Sequence, residues 1–282
     1  MTIIRADVLG FCAGVRSAVE SAYETLKKNK DKRVYSLGPL IHNQVALDSL
    51  AEKGLVVESN LENIEDGSAV IIRAHGVPPE TITDLQKKNC TVVDATCHLV
   101  RASQRIAQKY SSKNYRVIFA GDAYHGEVVS VAAYAKNNFT LVQNIEDARS
   151  IELKQNENAV FFSQTTFSNS AFSEITKILQ EKCKALVVLH TICPATKARQ
   201  DALKTLCDKV DAILVVGGKN SANTKRLLLT AQENGKVACI VERASEIPSE
   251  YFSFTTVGIS AGASTPDDTI DQVEQCLLKN AV

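Results

Sequence analysis

The sequence predicts an α/β protein of three pseudo-threefold-related αβ modules with parallel sheets, closed into a ring whose modules face a common centre. Three observations lead there. Short apolar runs alternate with helical runs along all 282 residues, a pattern that right-handed crossovers turn into parallel sheets covered on both faces. One segment type recurs at Cys12, Cys97 and Cys193: a cysteine, a β-branched residue three places on, a base at the fourth, then a helical run. A glycine turn follows each at a matching distance, Gly38 after 26 residues, Gly121 after 24 and Gly217 after 24, which makes a repeat of roughly 90 residues.

Taken in order, Thr2 to Ala6 reads as a strand leading to Cys12. The run after it places Val15, Ala18, Val19, Ala22 and Leu26 at helical spacing. RVYSLG is a strand ending in the turn GPLIHN, and QVALDSLAEKG is a helix. A short strand at Leu55 to Val57, the buried strand AVIIRAHG, a helix opened by the prolines of PPETITDLQKK and the strand TVVDATC complete the first unit. The second runs from the Cys97 helix through RVIFAG, GDAYHGE, the helix VVSVAAYAKN, the strand NAVFFSQTT, the helix SAFSEITKILQEK and the strand ALVVLHTIC. The third runs from the Cys193 helix through AILVVGG, GKNSANT, KRLLLTAQENG, VACIV, TTVGISAGAS and PDDTIDQVEQC, and has no fourth strand of its own. The boundaries are therefore 13–97, 98–192 and 193–282, the last completed by the N-terminal strand within 1–12. One continuous doubly wound sheet is the alternative that the same pattern allows.

Composition narrows the class. Hydrophobic residues make up 45% and charged residues 23%, values of a soluble globular protein. Lys plus Arg equals Asp plus Glu at 32 each, so bulk charge favours no nucleic-acid partner. No apolar stretch approaches the roughly 18 to 20 residues of a membrane helix, and MTIIRADVLGF lacks the pattern of a secretion signal. The expectation is a cytoplasmic protein with no membrane partner, its eight cysteines reduced or ligating.

In parallel αβ units, ligands sit at the carboxyl ends of strands. Those ends carry Cys12, Cys97 and Cys193; the turns with His42 and Asn43, His125 and Glu127, and Ser221 and Asn223; and His75, Thr165 with Thr166, and Ser264. Imidazoles and small polar donors at helix N-termini suit a small anion such as a phosphate or diphosphate. Three thiolates suit a metal or an iron-sulfur cluster, with one coordination position left open. A second trio, Cys90, Cys183 and Cys276, spaced 93 residues apart, follows the last helix of each unit on the opposite face and reads as packing, as do Cys207 and Cys239.

The strings VLGFCAGVRSAV, GPLIHN, RAHGV, DATCHLV, GDAYHGE, SQTT, ICPAT, VVGGKNSANT and SAGAS resemble, in order and over essentially the whole chain, the 4-hydroxy-3-methylbut-2-enyl diphosphate reductase family. The resemblance implies a trefoil around one 4Fe-4S cluster held by Cys12, Cys97 and Cys193. It implies reductive removal of the allylic hydroxyl of the diphosphate substrate, with Glu127 as proton source and a carboxyl pKa raised by the nearby diphosphate. His42, His75, His125, Thr165, Ser221, Ala222, Asn223 and Ser264 match the substrate pocket, with Ala222 standing where the family commonly has a second serine. Thr196 matches a further pocket position. No GxGxxG is present, so electrons are expected from an external donor such as ferredoxin or flavodoxin. From the residues alone, a non-catalytic phosphate-ligand binding protein and a zinc-dependent hydrolase using the same cysteines remain open.

Overall fold

The strand and helix signals become twelve strands and ten α-helices in a computed structural model that describes residues 1–280. Residues 281–282, the end of the third expected module, lie outside the described residues. In chain order these are β1 (Thr2–Arg5), α1 (Ala13–Lys28), β2 (Val34–Leu37), α2 (Gln44–Ala51), β3 (Leu55–Glu58), β4 (Ala69–Ile72), α3 (Pro79–Lys87) and β5 (Thr91–Asp94). Then come α4 (His98–Ser111), β6 (Arg116–Ala120), α5 (Gly126–Ala135), β7 (Phe139–Val142), α6 (Ile145–Ser150), β8 (Ala159–Ser163), α7 (Asn169–Lys182) and β9 (Val187–Val188). The last are α8 (Pro194–Cys207), β10 (Ala212–Val216), α9 (Ala222–Glu233), β11 (Val237–Val241), β12 (Thr256–Ala261) and α10 (Asp267–Asn280).

The strands form three separate four-stranded sheets, which excludes one continuous doubly wound sheet. Their orders are β3-β2-β4-β5, β7-β6-β8-β9 and β11-β10-β12-β1. Numbered within a repeat, each reads second, first, third, fourth. In the third sheet the fourth place is taken by β1, parallel to β12 with Thr2 opposite Thr256 and Arg5 opposite Ile259. The chain direction switches between the first and third strands of every sheet, so a crevice opens beyond the carboxyl ends of β2 and β4, of β6 and β8, and of β10 and β12.

Both faces of the central strands are buried, as continuous apolar runs require. Ala212, Leu214 and Val216 of β10 pack into one core while Ile213 and Val215 enter the core on the opposite face. In β6, Ile118 and Ala120 face one way and Val117 and Phe119 the other. Each of the Val, Leu, Ile and Phe side chains among them contributes about 1.5–3 kcal/mol by leaving water. The chain divides into two compact units, one of residues 1–30, 38–57 and 194–282, the other of residues 31–37 and 58–193.

Three local expectations differ. Between α5 and β8 the structure inserts β7 and α6, which sequence periodicity passes over because FTLV is a partly buried edge strand with little apolar contrast. The threefold repeat itself foretells it, since β3 and β11 hold the same place. The strand expected over ALVVLHTIC is reduced to Val187–Val188; beyond it, the Thr191 hydroxyl accepts from Ser163 N at 2.9 Å and donates to Ser163 O at 2.6 Å, taking over from the ladder. Cys276 lies inside α10 rather than after it.

Candidate active site

Three cysteines end in one backbone setting. Cys12 is the N-cap of α1, Cys97 the N-cap of α4, and Cys193 directly precedes α8. The N–H of Cys12 donates to Ala263 O at 3.0 Å, that of Cys97 to Ala74 O at 3.0 Å, and that of Cys193 to Thr165 O at 2.9 Å. Each acceptor lies two residues past the third strand of its sheet. The equivalence read in the sequence is thus an equivalence of main-chain hydrogen bonding. None of the three is in a disulfide and all are half-buried, and Cys12 Sγ accepts from Val15 N at 3.4 Å. Sulfur held at a helix start, with first-turn N–H groups around it, suits anionic thiolate ligation. The rival trio behaves as packing: Cys90 lies 3.6 Å from Glu65 O, Cys183 3.3 Å from Glu157 O and Cys276 3.8 Å from Ala244 O, each turned onto a carbonyl.

In the unit of residues 31–37 and 58–193, Glu127 is buried in the first turn of α5. Thr165 N donates to Oε1 at 2.9 Å and Thr165 Oγ1 donates to Oε2 at 2.7 Å. Burial raises the Glu127 pKa to about 7, the two Thr165 bonds pull against it, and Asp122 adds to it. The expected cause, a neighbouring phosphate, is therefore not needed: desolvation alone outweighs the hydrogen bonds to the ionised form. His125 caps α5 by accepting from Glu127 N at its Nδ1, 3.2 Å away. That bond leaves the hydrogen of a neutral ring on Nε2, as a donor. The His75 ring meets His125 edge to face with centroids 5.0 Å apart.

In the other unit, the turn after β2 meets the loops after β10 and β12. Ser264 Oγ donates to His42 O at 3.2 Å. Gly218 lies so close that a Cβ there would come 2.1 Å from the same carbonyl, contact with main chain that cannot swing aside. Asn43 caps α2 by accepting from Ala46 N at 3.0 Å, and Ser221 caps α9 by accepting from Thr224 N at 3.3 Å. Ala222 is the first residue of α9, so its N–H belongs to the first turn, which has no intrahelical acceptor. Asn223 is 4% exposed, yet neither Oδ1 nor Nδ2 has a hydrogen-bond partner among the described residues. A buried amide left this way costs about 1–3 kcal/mol, which an incoming ligand with a donor and an acceptor would recover. Thr196 is buried in the first turn of α8.

Two features escaped the sequence. Gly218 looks like any turn glycine until its approach to His42 is seen. Arg73 ends the otherwise apolar run AVIIRAHG, and its being a charge in a buried strand was the available signal. Its pKa is lowered by burial alone, and its Nε has no partner among the described residues.

The sequence matches the family described as LytB protein over residues 3–278. The 4-hydroxy-3-methylbut-2-enyl diphosphate reductase of Treponema denticola is 46% identical over 289 aligned positions, covering 99% of this chain and 100% of the relative. That of Caldanaerobacter subterraneus subsp. tengcongensis is 40% identical, covering 97% and 95%. Among solved structures, the E-1-hydroxy-2-methyl-but-2-enyl-4-diphosphate reductase of Plasmodium falciparum superposes with a TM-score of 0.93 at 27% identity, over 97% of this chain and 87% of that one. A second, described as the terminal enzyme of the non-mevalonate pathway, gives 0.71 at 36% identity over 99% and 100%.

Proposed function

This chain belongs to the LytB protein family, and from that premise we propose that it is a 4-hydroxy-3-methylbut-2-enyl diphosphate reductase. It removes the allylic hydroxyl of its substrate with two electrons and two protons, releasing water and isopentenyl or dimethylallyl diphosphate, the last step of the non-mevalonate route. The observation that supports the chemistry best is Glu127, a buried carboxyl whose pKa is raised to about 7, so that a large share of it is still protonated near neutral pH where an exposed one would be ionised.

Hydroxide is a poor leaving group, and a carboxyl that protonates it lowers the barrier to C–O cleavage. Glu127 is suited to this because Thr165 binds both its oxygens. Thr165 Oγ1 donates to Oε2 of the ionised carboxylate and can rotate to accept from it once Oε2 is protonated, so the proton passes to a substrate oxygen that replaces that contact. His125, with Nδ1 occupied by the main chain, offers Nε2–H to an anionic ligand. Asn223 offers its unpartnered amide, and Ala222 and Asn223 offer first-turn N–H groups. His42, His75, Thr165, Ser221 and Ser264 complete the proposed substrate set.

Cys12, Cys97 and Cys193 are the proposed ligands of one 4Fe-4S cluster. Their half-buried thiols and shared main-chain setting fit it, whereas the carbonyl-facing Cys90, Cys183 and Cys276 do not. When bound, such a cluster supplies electrons and, at the iron without a cysteine, an open position for the substrate oxygen. The proposed modules are residues 13–97, 98–192 and 193–282 with 1–12. No helix among the described residues is long and apolar enough to cross a membrane. A cytoplasmic site and an external electron donor such as ferredoxin or flavodoxin complete the reading.

Anaerobically prepared protein should be brown, hold about four irons per chain and convert the allylic diphosphate when given a chemical reductant. A colourless, iron-free protein would identify a binding protein or a zinc hydrolase instead.

A further inference from the structure

The residue just past β4 is a cation with no evident counterpart. Arg73 follows four fully buried residues, Ala69 to Ile72. Its guanidinium lies against Gly126, the first residue of α5. A Cβ on that glycine would stand 2.9 Å from Arg73 Nη2, 3.0 Å from Cζ and 3.0 Å from the His75 Cβ. Desolvation is what lowers the Arg73 pKa. Arg73 takes part in none of the ion pairs among the described residues, and its Nε is without a partner.

Two effects oppose such a placement. Stripping water from a guanidinium without a matching anion is costly. The N-terminus of a ten-residue helix is itself the positive end of a dipole, so the cation sits beside charge of its own sign. His75 and His125 stand edge to face in the same place. Every group gathered there favours a negative partner, and Glu127, next to Gly126, is pushed toward its neutral form by burial.

We propose that Arg73 is a further anion-holding residue of the substrate site, a fixed positive charge behind His75 and the first turn of α5 that is matched when a diphosphate binds. The proposal rests on the reading of this site as one for an allylic diphosphate, and it assigns the anion to the pyrophosphate portion rather than to the reacting end. It also gives Gly126 a reason: any side chain there would push the guanidinium off the helix start.

The test uses the intact, cluster-loaded protein and inorganic pyrophosphate, titrated calorimetrically at several salt concentrations. Arg73→Gln should weaken binding roughly tenfold or more and flatten the dependence of log Kd on log salt, since one charge has left the site. Arg73→Lys, which keeps the charge but loses the fork, should retain most of the salt slope. The ligand-free melting temperature of Arg73→Gln should match or exceed that of the parent, because an unmatched charge has been removed. If Arg73→Gln binds pyrophosphate within about twofold of the parent with the same salt slope, the proposal is wrong. It is equally wrong if binding falls only together with the melting temperature. A parent protein that binds pyrophosphate through Arg73 yet reduces no allylic diphosphate would overturn the proposed function and leave this inference standing.

Discussion

Replacing Glu127 by glutamine should change stability in a pH-dependent way whose size follows from its burial. In the folded protein the carboxyl titrates at about 7, against an ordinary value of 4.5. A group whose folded pKa is raised favours the folded state fully below the unfolded pKa. That contribution is lost as pH climbs toward the folded value, because the unfolded chain gives up its proton first. The 2.5 units between 7 and 4.5 correspond to about 3 kcal/mol. Of this, about 2.5 kcal/mol falls between pH 5 and pH 8.5. Glutamine mimics the neutral acid, since its carbonyl can accept from Thr165 N and its amide can donate to Thr165 Oγ1, and it has no proton to lose. Urea midpoints of parent and Glu127→Gln, compared at equal cluster content, should therefore diverge as pH rises, with the variant gaining about 2.5 kcal/mol on the parent by pH 8.5. The same variant should keep pyrophosphate binding nearly intact and lose turnover. A stability difference that stays flat from pH 5 to pH 8.5 would show that Glu127 ionises normally, and the proton-source argument would go with it.

Other substitutions probe the remaining parts. Gly218→Ala brings a methyl group against His42 O and should cost about 1–3 kcal/mol, with a raised KM as the loop retreats; unchanged denaturation and KM would mean that the approach is loose. Asn223→Leu removes two unpartnered buried polar atoms, so ligand-free stability should hold or rise by about 1 kcal/mol while pyrophosphate affinity drops roughly tenfold, read by calorimetry. Cys97→Ser should lose most of its iron under anaerobic reconstitution, whereas Cys90→Ser should keep it; the reverse result would exchange the two trios.

Much of the architecture was legible in order and spacing. Alternating apolar and helical runs specify parallel sheets because crossovers have one hand. The Cys12, Cys97 and Cys193 segments announced the threefold repeat, and the lack of a fourth strand after PDDTIDQVEQC pointed to Thr2–Arg5, which pairs with β12. Less was legible where local contrast is weak. FTLV lies at a sheet edge and is only partly buried, so its periodicity was faint, and the short β9 gives way to a threonine hydroxyl that no strand propensity encodes.

What the sequence by itself determined, then, is the repeat, the sheet-forming runs and the choice of residue types at strand ends, because these depend on neighbours a few positions away. Only the tertiary structure decided how those residues behave chemically. Glu127 titrates near 7 rather than in the usual carboxylate range because a helix start and a Thr165 loop, 38 residues apart in the chain, bury it together. The Asn223 amide and Arg73 Nε are buried polar atoms without a hydrogen-bond partner among the described residues because packing has closed over them. Desolvation is a property of everything that surrounds a group at once, and no short stretch of sequence contains it.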